Sequence, residues 1–318
     1  MTEALRRVRI IRRRDETPDI ASFVLAAKEE EPLPSFAAGA HIDVEIRPGL
    51  VRQYSLSALP DARGHYHIGV LRDASSRGGS LAMHQLRVGD EVRISAPKNH
   101  FGLVRGAAMT LLLAGGIGLT PLLAMARQLK ADGAAFELHY CARSLAQAAF
   151  LDQLATFEDR AVLHFDDGPE TNKLDIDGVL SRHPGAHVYV CGPAGFMNWI
   201  FDGAERLGFD PTRLHREVFA PGPIEPRDGF GSFQVRLARS GRTIEVSAEQ
   251  SIARALMDKG LSIPTSCESG VCGTCLTTVL EGVPDHRDFY LSKAEKARGD
   301  QMLLCCSRSK SPLLTLDL

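Results

Sequence analysis

The chain has no apolar run approaching the roughly 18 residues needed to cross a bilayer. Its longest apolar stretch, Met109 to Ala114, is only strand-sized, so no transmembrane helix and no membrane partner are expected. It has no excess of either charge: 37 Lys and Arg against 39 Asp and Glu leave a formal net charge of -2, which argues against a general nucleic-acid binder. The first residues, with Thr2 and Glu3, lack an apolar signal core, and a cytoplasmic location is expected. There is no internal repeat and no low-complexity tract. The seven cysteines are odd in number, which in a signal-free chain argues against a disulfide framework.

What is present suits packed cores. At 318 residues two or three domains are expected, and a 44% hydrophobic fraction excludes global disorder. The first hundred residues read as short strands between turns: Ile20 to Leu25, His41 to Ile46 with period-2 alternation, His65 to Leu71, and Glu91 to Ile94. This spacing predicts a small antiparallel barrel. The basic stretch Arg6 to Arg14 alternates with Val8 and Ile10 and reads as an edge strand, not as a binding arm.

The pattern changes near Gly106. Strand Met109 to Ala114, a helix over Pro121 to Lys130, strand Phe136 to Cys141, a helix near Leu145 to Thr156, and strands Ala161 to Phe165 and His187 to Cys191 follow. Such alternation predicts an α/β domain with a parallel sheet. Pro221, Pro223 and Pro226 then mark an interdomain linker. Beyond it, Phe233 to Ala238 and Thr243 to Val246 flank a hairpin turn containing Gly241, and an amphipathic helix runs from about Ser251 to Lys259, with Gly260 as its C-cap. The expected modules are residues 1–105, 106–225 and 226–318.

Five cysteines lie after residue 266. Cys267, Cys272 and Cys275 have the C-x4-C-x2-C spacing associated with plant-type [2Fe–2S] ferredoxins. Four thiolates crowd negative charge around two irons, so backbone N–H groups must turn toward the sulfurs. Gly270 and Gly273 permit that wrapping, and Ser269 and Thr274 add hydroxyl donors. Zinc also takes four cysteines but usually uses paired short spacings, so the spacing favours a cluster. Cys305 and Cys306 are the downstream candidates for the fourth ligand. Cys141 and Cys191, at strand ends, are not expected to ligate.

Arg52-Gln53-Tyr54-Ser55-Leu56-Ser57 follows a Pro-Gly turn, and Arg77-Gly78-Gly79-Ser80 opens a helix. Free N–H groups at a helix start, an Arg fork and a flat Tyr face together fit a flavin mononucleotide. Gly115-Gly116-Ile117-Gly118-Leu119-Thr120-Pro121 joins a buried strand to a helix, where parallel sheets bind nucleotides. Cys191-Gly192-Pro193 repeats that logic after a later strand, and two such turns in one sheet favour a dinucleotide. Glu217, in Leu214 to Phe219, is placed to reach the ring end of that cofactor, although a solvated strand-end carboxylate is an equal alternative.

These motifs, in this order and over nearly the whole chain, resemble the phthalate dioxygenase reductase family, including its vanillate demethylase reductase group. The resemblance rests on Arg52 to Leu56, Gly78 to Ser80, Gly115 to Pro121, Cys191 to Pro193, Glu217 to Phe219 and the cysteine set. It implies an FMN-binding antiparallel β-barrel, an NADH-binding α/β domain and a plant-type ferredoxin domain of α+β, β-grasp type. On it, Arg52 and Ser80 would hold the FMN phosphate, and Tyr54, Ser55 and Leu56 would line the isoalloxazine. Gly116 and Thr120 would face the NADH phosphates. Cys191, Gly192 and Glu217 would lie near the nicotinamide, and Cys305 would be the fourth cluster ligand, with Cys306 beside it open to a swap. Arg143-Ser144 lacks an acidic residue for the adenosine ribose, so NADPH stays open.

The implied activity is electron transfer from NADH through flavin and a [2Fe–2S] centre to a terminal oxygenase, with no side chain acting as acid or base in the hydride step. The partner expected is a Rieske non-haem iron oxygenase acting on an aromatic acid, a methoxylated aromatic or a small ammonium compound. Its docking is expected to be transient, and the reductase itself a monomer. A cytochrome P450 or another acceptor, a FAD-dependent relative, and a zinc-binding or sensory regulator are the alternatives.

Overall fold

The computed structural model describes the chain except residues 1–4, 29–31, 60–63, 74–77, 220–230, 266, 267, 272 and 292, and the side chains of 293 and 294. Arg77, the proline linker from Ala220 to Pro226, Cys267 and Cys272 therefore lie outside the described residues. The chain divides into two compact units, Met1–Glu217 and Val218–Leu318.

The first unit opens with six strands: β1 (Arg6–Asp15), β2 (Ile20–Ala27), β3 (His41–Arg47), β4 (Leu50–Ser55), β5 (Tyr66–Leu71) and β6 (Glu91–Ile94), in the order β4-β3-β6-β1-β2-β5. All neighbouring pairs are antiparallel. The two outer strands meet through a bridge between Leu56 and Ile68 and a bond from Ser57 N to the His67 carbonyl (2.9 Å), so the sheet curls into a near-closed barrel. Val8, Ile10, Phe23, Ile42, Val44, Leu56 and Ile68 fill its interior. β1 is an interior strand, held between β2 and β6, and not the edge strand its sequence suggested. Alternation reports which face of a strand is buried, not how many neighbours it has. Helix α1 (Gly79–Gln85) lies between β5 and β6 in the chain.

The same unit continues into a five-stranded sheet. β7 (Thr110–Gly115), β8 (Phe136–Ala142), β9 (Ala161–Phe165), β10 (His187–Cys191) and β11 (Leu214–Glu217) are all parallel, in the order β11-β10-β7-β8-β9. From β7 the chain moves one way across the sheet to β8 and β9. It then returns to the far side of β7 for β10 and β11. Adjacent strands β7 and β10 thus flank a topological switch point, where a crevice opens at the strand carboxyl ends. Helices α2 (Leu119–Ala131), α4 (Ile176–Arg182) and α5 (Ala194–Arg206) complete the α/β layers. The helix expected over Leu145 to Thr156 is broken. Only Leu151–Leu154 (α3) is α-helical, between two tight 3-10 turns, because Phe150 takes a left-handed φ of 60° while burying its ring in the core.

The second unit holds β12 (Phe233–Leu237), β13 (Thr243–Val246), β14 (Leu276–Glu281), β16 (Gln301–Leu303) and β18 (Leu313–Leu316) in the order β13-β12-β18-β14-β16, with a separate pair formed by β15 (Pro284–Asp285) and β17 (Arg308–Ser309). Helix α6 (Ile252–Asp258), capped by Ser251 through its contact with Arg254 N (3.2 Å), buries Ile252, Ala253, Ala255 and Leu256 against this mixed sheet, the β-grasp arrangement. Helix α7 (Lys293–Arg298) precedes β16.

Candidate electron-transfer site

Strand β4 sorts the Arg52-to-Ser57 motif onto two faces, because successive side chains of a strand point opposite ways. On one face Arg52 lies across the first turn of α1. A methyl group at Gly79 would come within 2.6 Å of its Nε, so the absence of a side chain there lets Arg52 lie in this place. Gly78, with φ of 87°, turns the chain into α1 and, as a glycine, offers no side-chain cap of its own. Arg52 also donates to the Val51 carbonyl at 2.7 Å. Tyr54 shares that face, and burial drives its phenol pKa upward despite the nearby Arg52. The two halves of the anticipated flavin site, 26 residues apart at Arg52 and Gly78, are therefore neighbours in space. Ser80 Oγ accepts from Asp73 N at 3.1 Å.

The other face of β4 holds Gln53 and Ser55. Gln53 donates to Asp43 Oδ1 (3.0 Å) and lies 3.3 Å from His41 Nε2, while Lys98 donates to Asp43 Oδ2 at 2.7 Å. The Gln53 amide is thus spent on bracing the barrel. Leu56 is completely buried in the barrel core, and Ser57 Oγ donates to the His67 carbonyl at 3.2 Å.

Ser55 reaches across to the parallel sheet. Its Oγ donates to Glu217 Oε2 at 3.0 Å, over 162 residues of sequence. Glu217 ends β11 in register with Cys191, which ends β10. Part of Glu217 still reaches solvent, but its carboxyl group is enclosed by protein, and burial pushes its pKa up to about 8, partly opposed by the Ser55 hydrogen bond. Burial, aided by Glu217, also raises the fully covered Cys191 thiol well above its ordinary range. Burial thus favours the protonated form of both the Glu217 carboxyl and the Cys191 thiol, beside the Ser55 hydroxyl that bonds Glu217. Burial therefore disfavours a thiolate at Cys191 and a carboxylate at Glu217.

The glycine turns sit at the switch-point crevice. β7 ends at Gly115, a 3-10 turn spans Gly116–Gly118, and α2 follows with Pro121 in its first turn. The neighbouring turn Cys191-Gly192-Pro193 leads into α5. The two turns pack backbone on backbone. A methyl at Gly118 would overlap the Cys191 carbonyl and come within 2.6 Å of Gly192 N, and one at Gly192 would lie 3.0 Å from Gly115 Cα. Gly116 (φ 55°) faces open space. Thr120, in contrast, is buried: its hydroxyl donates to the Ile117 carbonyl (3.0 Å), and its methyl lies where a side chain on Gly69 of the barrel would stand. Acidic groups that the sequence search around Arg143 missed come from the next strand. Asp166 N and Asp167 N bond the carbonyls of Ala142 and Arg143 (both 3.1 Å), so two carboxylate residues stand beside Arg143 at the sheet end. Their signal was the Asp-Asp pair closing the β9 segment.

In the second unit, Gly270 (φ 76°) and Gly273 (φ 75°) turn the cysteine loop. Their would-be Cβ positions are filled: Cys306 Sγ lies 2.5 Å from that of Gly270, and the Tyr290 ring 2.5 Å from that of Gly273. Phe289 N donates to the Gly270 carbonyl at 2.9 Å. β14 and β16 pair Leu276 with Leu303, and Leu304 N bonds the Cys275 carbonyl at 3.3 Å, which brings the buried Cys275 to the turn bearing Cys305. Among the described residues, the positive-φ glycines and the approach of Cys275 to the turn bearing Cys305 and Cys306 are compatible with a [2Fe–2S] cluster. Cys306 Sγ is turned behind Gly270, 3.9 Å from the Leu303 carbonyl.

Comparison with known proteins agrees with this geometry. Residues 235–310 match the family profile described as 2Fe-2S iron-sulfur cluster binding domain. Residues 7–102 match the one described as oxidoreductase FAD-binding domain. The chain is 51% identical over 314 residues to vanillate O-demethylase oxidoreductase of Pseudomonas putida, covering 97% of this chain and 98% of that one. It superposes on the solved structure of phthalate dioxygenase reductase with a TM-score of 0.74 and 39% identity, over 99% of this chain and 98% of that one. It also superposes on an intact type IV self-sufficient cytochrome P450 monooxygenase with a TM-score of 0.86 and 36% identity, where 99% of this chain spans 41% of that longer one. With a flavin-binding barrel, a parallel sheet and a plant-type iron–sulfur module in the same order, the chain belongs to the phthalate dioxygenase reductase family, oxidoreductases that act as the electron-transfer component of oxygenase systems.

Proposed function

We propose that the protein draws its electrons from NADH, carries FMN as its flavin, and delivers single electrons to a Rieske non-haem iron oxygenase in a transient encounter. A flavin held by Arg52, Tyr54 and Ser80 would supply the chemistry that couples a two-electron nicotinamide donor to a one-electron [2Fe–2S] centre. Plant-type clusters lie near about −400 mV and Rieske centres at roughly −150 mV or above, so the final step runs downhill. The modules on this reading are residues 1–105, 106–225 and 226–318. The protein acts as a cytoplasmic monomer.

The observation that carries this reading is the bond between Ser55 and Glu217, which ties the flavin strand to the carboxyl end of the nucleotide sheet. Arg52, braced across Gly79, would take the FMN phosphate with Ser80, and Tyr54 would bear on the ring system. Gly116, open to solvent at the crevice, would approach the dinucleotide phosphates. Gly192, Cys191 and Glu217 would form the wall near the nicotinamide. Cys267, Cys272, Cys275 and Cys305 would hold the cluster, and the inward turn of Cys306 behind Gly270 supports Cys305 as the fourth. A cytochrome P450 acceptor is the second reading, favoured by the likeness to the self-sufficient P450.

An anaerobic NADH titration followed by visible absorption and EPR tests the chain of transfer. Flavin bleaching together with a reduced [2Fe–2S] signal is expected. No response to NADH, with a response to NADPH, would overturn the choice of donor. Flavin released by heat and identified by chromatography as FAD would overturn FMN. Turnover reconstituted with a P450 but not with Rieske oxygenases would replace the first acceptor by the second. Cys272→Ser should abolish cluster reduction and spare NADH-to-ferricyanide activity. Cys305→Ser should disturb the cluster more than Cys306→Ser, and the reverse ranking would reassign the ligand.

A further inference from the structure

Three residues after Cys305 stands a buried arginine that makes no carboxylate pair in its own strand pairing. Arg308 is only 8% exposed. Asp285 is its partner across the short β15–β17 ladder, but the Asp285 carboxylate is taken by Arg287 Nε at 2.8 Å. Arg308 instead spends its guanidinium on three backbone carbonyls. Nη1 donates to Gln250 O at 2.8 Å, and Nη2 to Ser247 O at 3.0 Å and to Gly231 O at 2.9 Å. Its planar head also lies 5.0 Å from the centre of the Phe233 ring. Burying a cation is costly unless its donors are met, and a rigid planar fork of five N–H groups reaches carbonyls spread around its rim, whereas the three N–H donors of an ammonium all sit on one atom.

The three carbonyls belong to two separate segments. Ser247 and Gln250 lie between β13 and α6. Gly231 is the first described residue after the proline-rich stretch that joins the two units. The turn from Leu304 to Ser307 is pinned at other points as well: Ala253 N, in α6, bonds the Leu304 carbonyl at 3.0 Å, Leu304 N bonds the Cys275 carbonyl, and Arg287 N bonds Ser307 Oγ at 3.3 Å. Arg308 closes the far end of this turn. Its guanidinium ties the chain leaving Cys305 to the approach to α6.

We propose that Arg308 is a positioning residue for the cluster: a buried three-carbonyl clamp that fixes the Cys305 turn against the segment leading into α6 and against the exit of the linker. The proposal rests on the reading of Cys305 as a ligand of a [2Fe–2S] centre. It places the guanidinium outside the set of groups touching the cluster, acting through the backbone that presents the thiolate. A lysine at this position keeps the charge and loses the fork, so the two variants separate charge from geometry.

The test uses the full-length holoprotein and three variants, Arg308→Lys, Arg308→Met and, as a control, Arg239→Lys, whose parent side chain is exposed and pairs with Asp317 at 3.1 Å. Iron and acid-labile sulfide are measured first. A parent protein with neither refutes the cluster reading itself, independently of the clamp. Given a loaded parent, bleaching of the cluster by a strong chelator and the EPR signal of the reduced centre are compared. Arg308→Lys is expected to bleach about tenfold faster with an altered EPR line shape, while its NADH-to-ferricyanide rate stays at the parent value. Arg239→Lys is expected to match the parent throughout. If Arg308→Met does not accumulate as folded protein, Arg308→Lys decides alone. A lysine variant that bleaches at the parent rate with a superimposable EPR signal overturns the proposal, even if its melting temperature falls.

Discussion

The nucleotide turns of the first unit and the cysteine loop of the second are both rich in glycine, and their glycines are needed for different reasons. Gly118 has an ordinary φ of −61°, which any residue accepts. It is glycine because another backbone, at Cys191 and Gly192, occupies the place of a side chain. Gly273 has a left-handed φ of 75°, and what fills its side-chain position is the ring of Tyr290. The first glycine answers to the contact of two distant turns and the second to its own local conformation. A glycine-rich loop is therefore not in itself a ligand signature. At the switch point it lets two turns come close enough to make a crevice, and around the cysteines it lets one loop curl upon itself.

That contrast can be broken by adding a single methyl group in each place. Gly118→Ala should have the largest effect, about 3 kcal/mol of stability in the first unit, because neither facing backbone can move aside. Urea unfolding followed by flavin fluorescence measures it, and NADH oxidation should fall with it. A loss below about 1 kcal/mol would mean that the two turns do not need their close packing.

Gly273→Ala should cost about 1–2 kcal/mol from backbone conformation alone, with an added clash against a ring that is able to swing. Cluster content, not flavin content, should drop. The double variant Gly273→Ala with Tyr290→Ala should recover part of the loss, whereas no second substitution of a side chain should rescue Gly118→Ala.

The first unit also carries a pH dependence. Glu217, with its carboxyl pKa raised from 4.5 to about 8, holds a proton in the folded state that the unfolded chain releases. Its contribution to stability therefore falls as pH rises between 4.5 and about 8. Melting temperatures across that window should slope downward for the parent, and Glu217→Gln should flatten the slope. An unchanged slope would place the titration elsewhere. Gly116→Ala should have the smallest effect, about 1 kcal/mol, since its φ of 55° is left-handed but nothing lies within 4 Å of the added methyl.

Much of this was legible in the order of residues. Period-2 alternation marked the barrel strands, strand–helix alternation marked the parallel sheet, and Gly260, with φ of 85°, stands just past the end of α6 as its composition suggested. Legibility failed where a segment's fate lay in distant partners. The alternation of Arg6 to Arg14 gave the buried face correctly and the edge position incorrectly, because β6, some 80 residues on, covers its free side. The stretch from Leu145 to Thr156 has helical composition, yet Phe150 leaves the helix to fill the core. Within the Arg52-to-Ser57 motif, sequence order could not separate Gln53, braced by Asp43 and His41, from Ser55, turned to Glu217.

By itself the sequence determined the succession of modules, the spacing of the cysteines and the positions where the backbone must turn sharply. These depend on neighbours a few residues apart, through φ preferences, side-chain period and the reach of a short loop. Only the tertiary structure decided that Ser55 meets Glu217, that the turns after β7 and β10 lock together, and that Arg308 closes on Gly231, Ser247 and Gln250. Each of these joins segments tens to hundreds of residues apart, and their meeting is set by strand order and packing, quantities that no local run of residues contains.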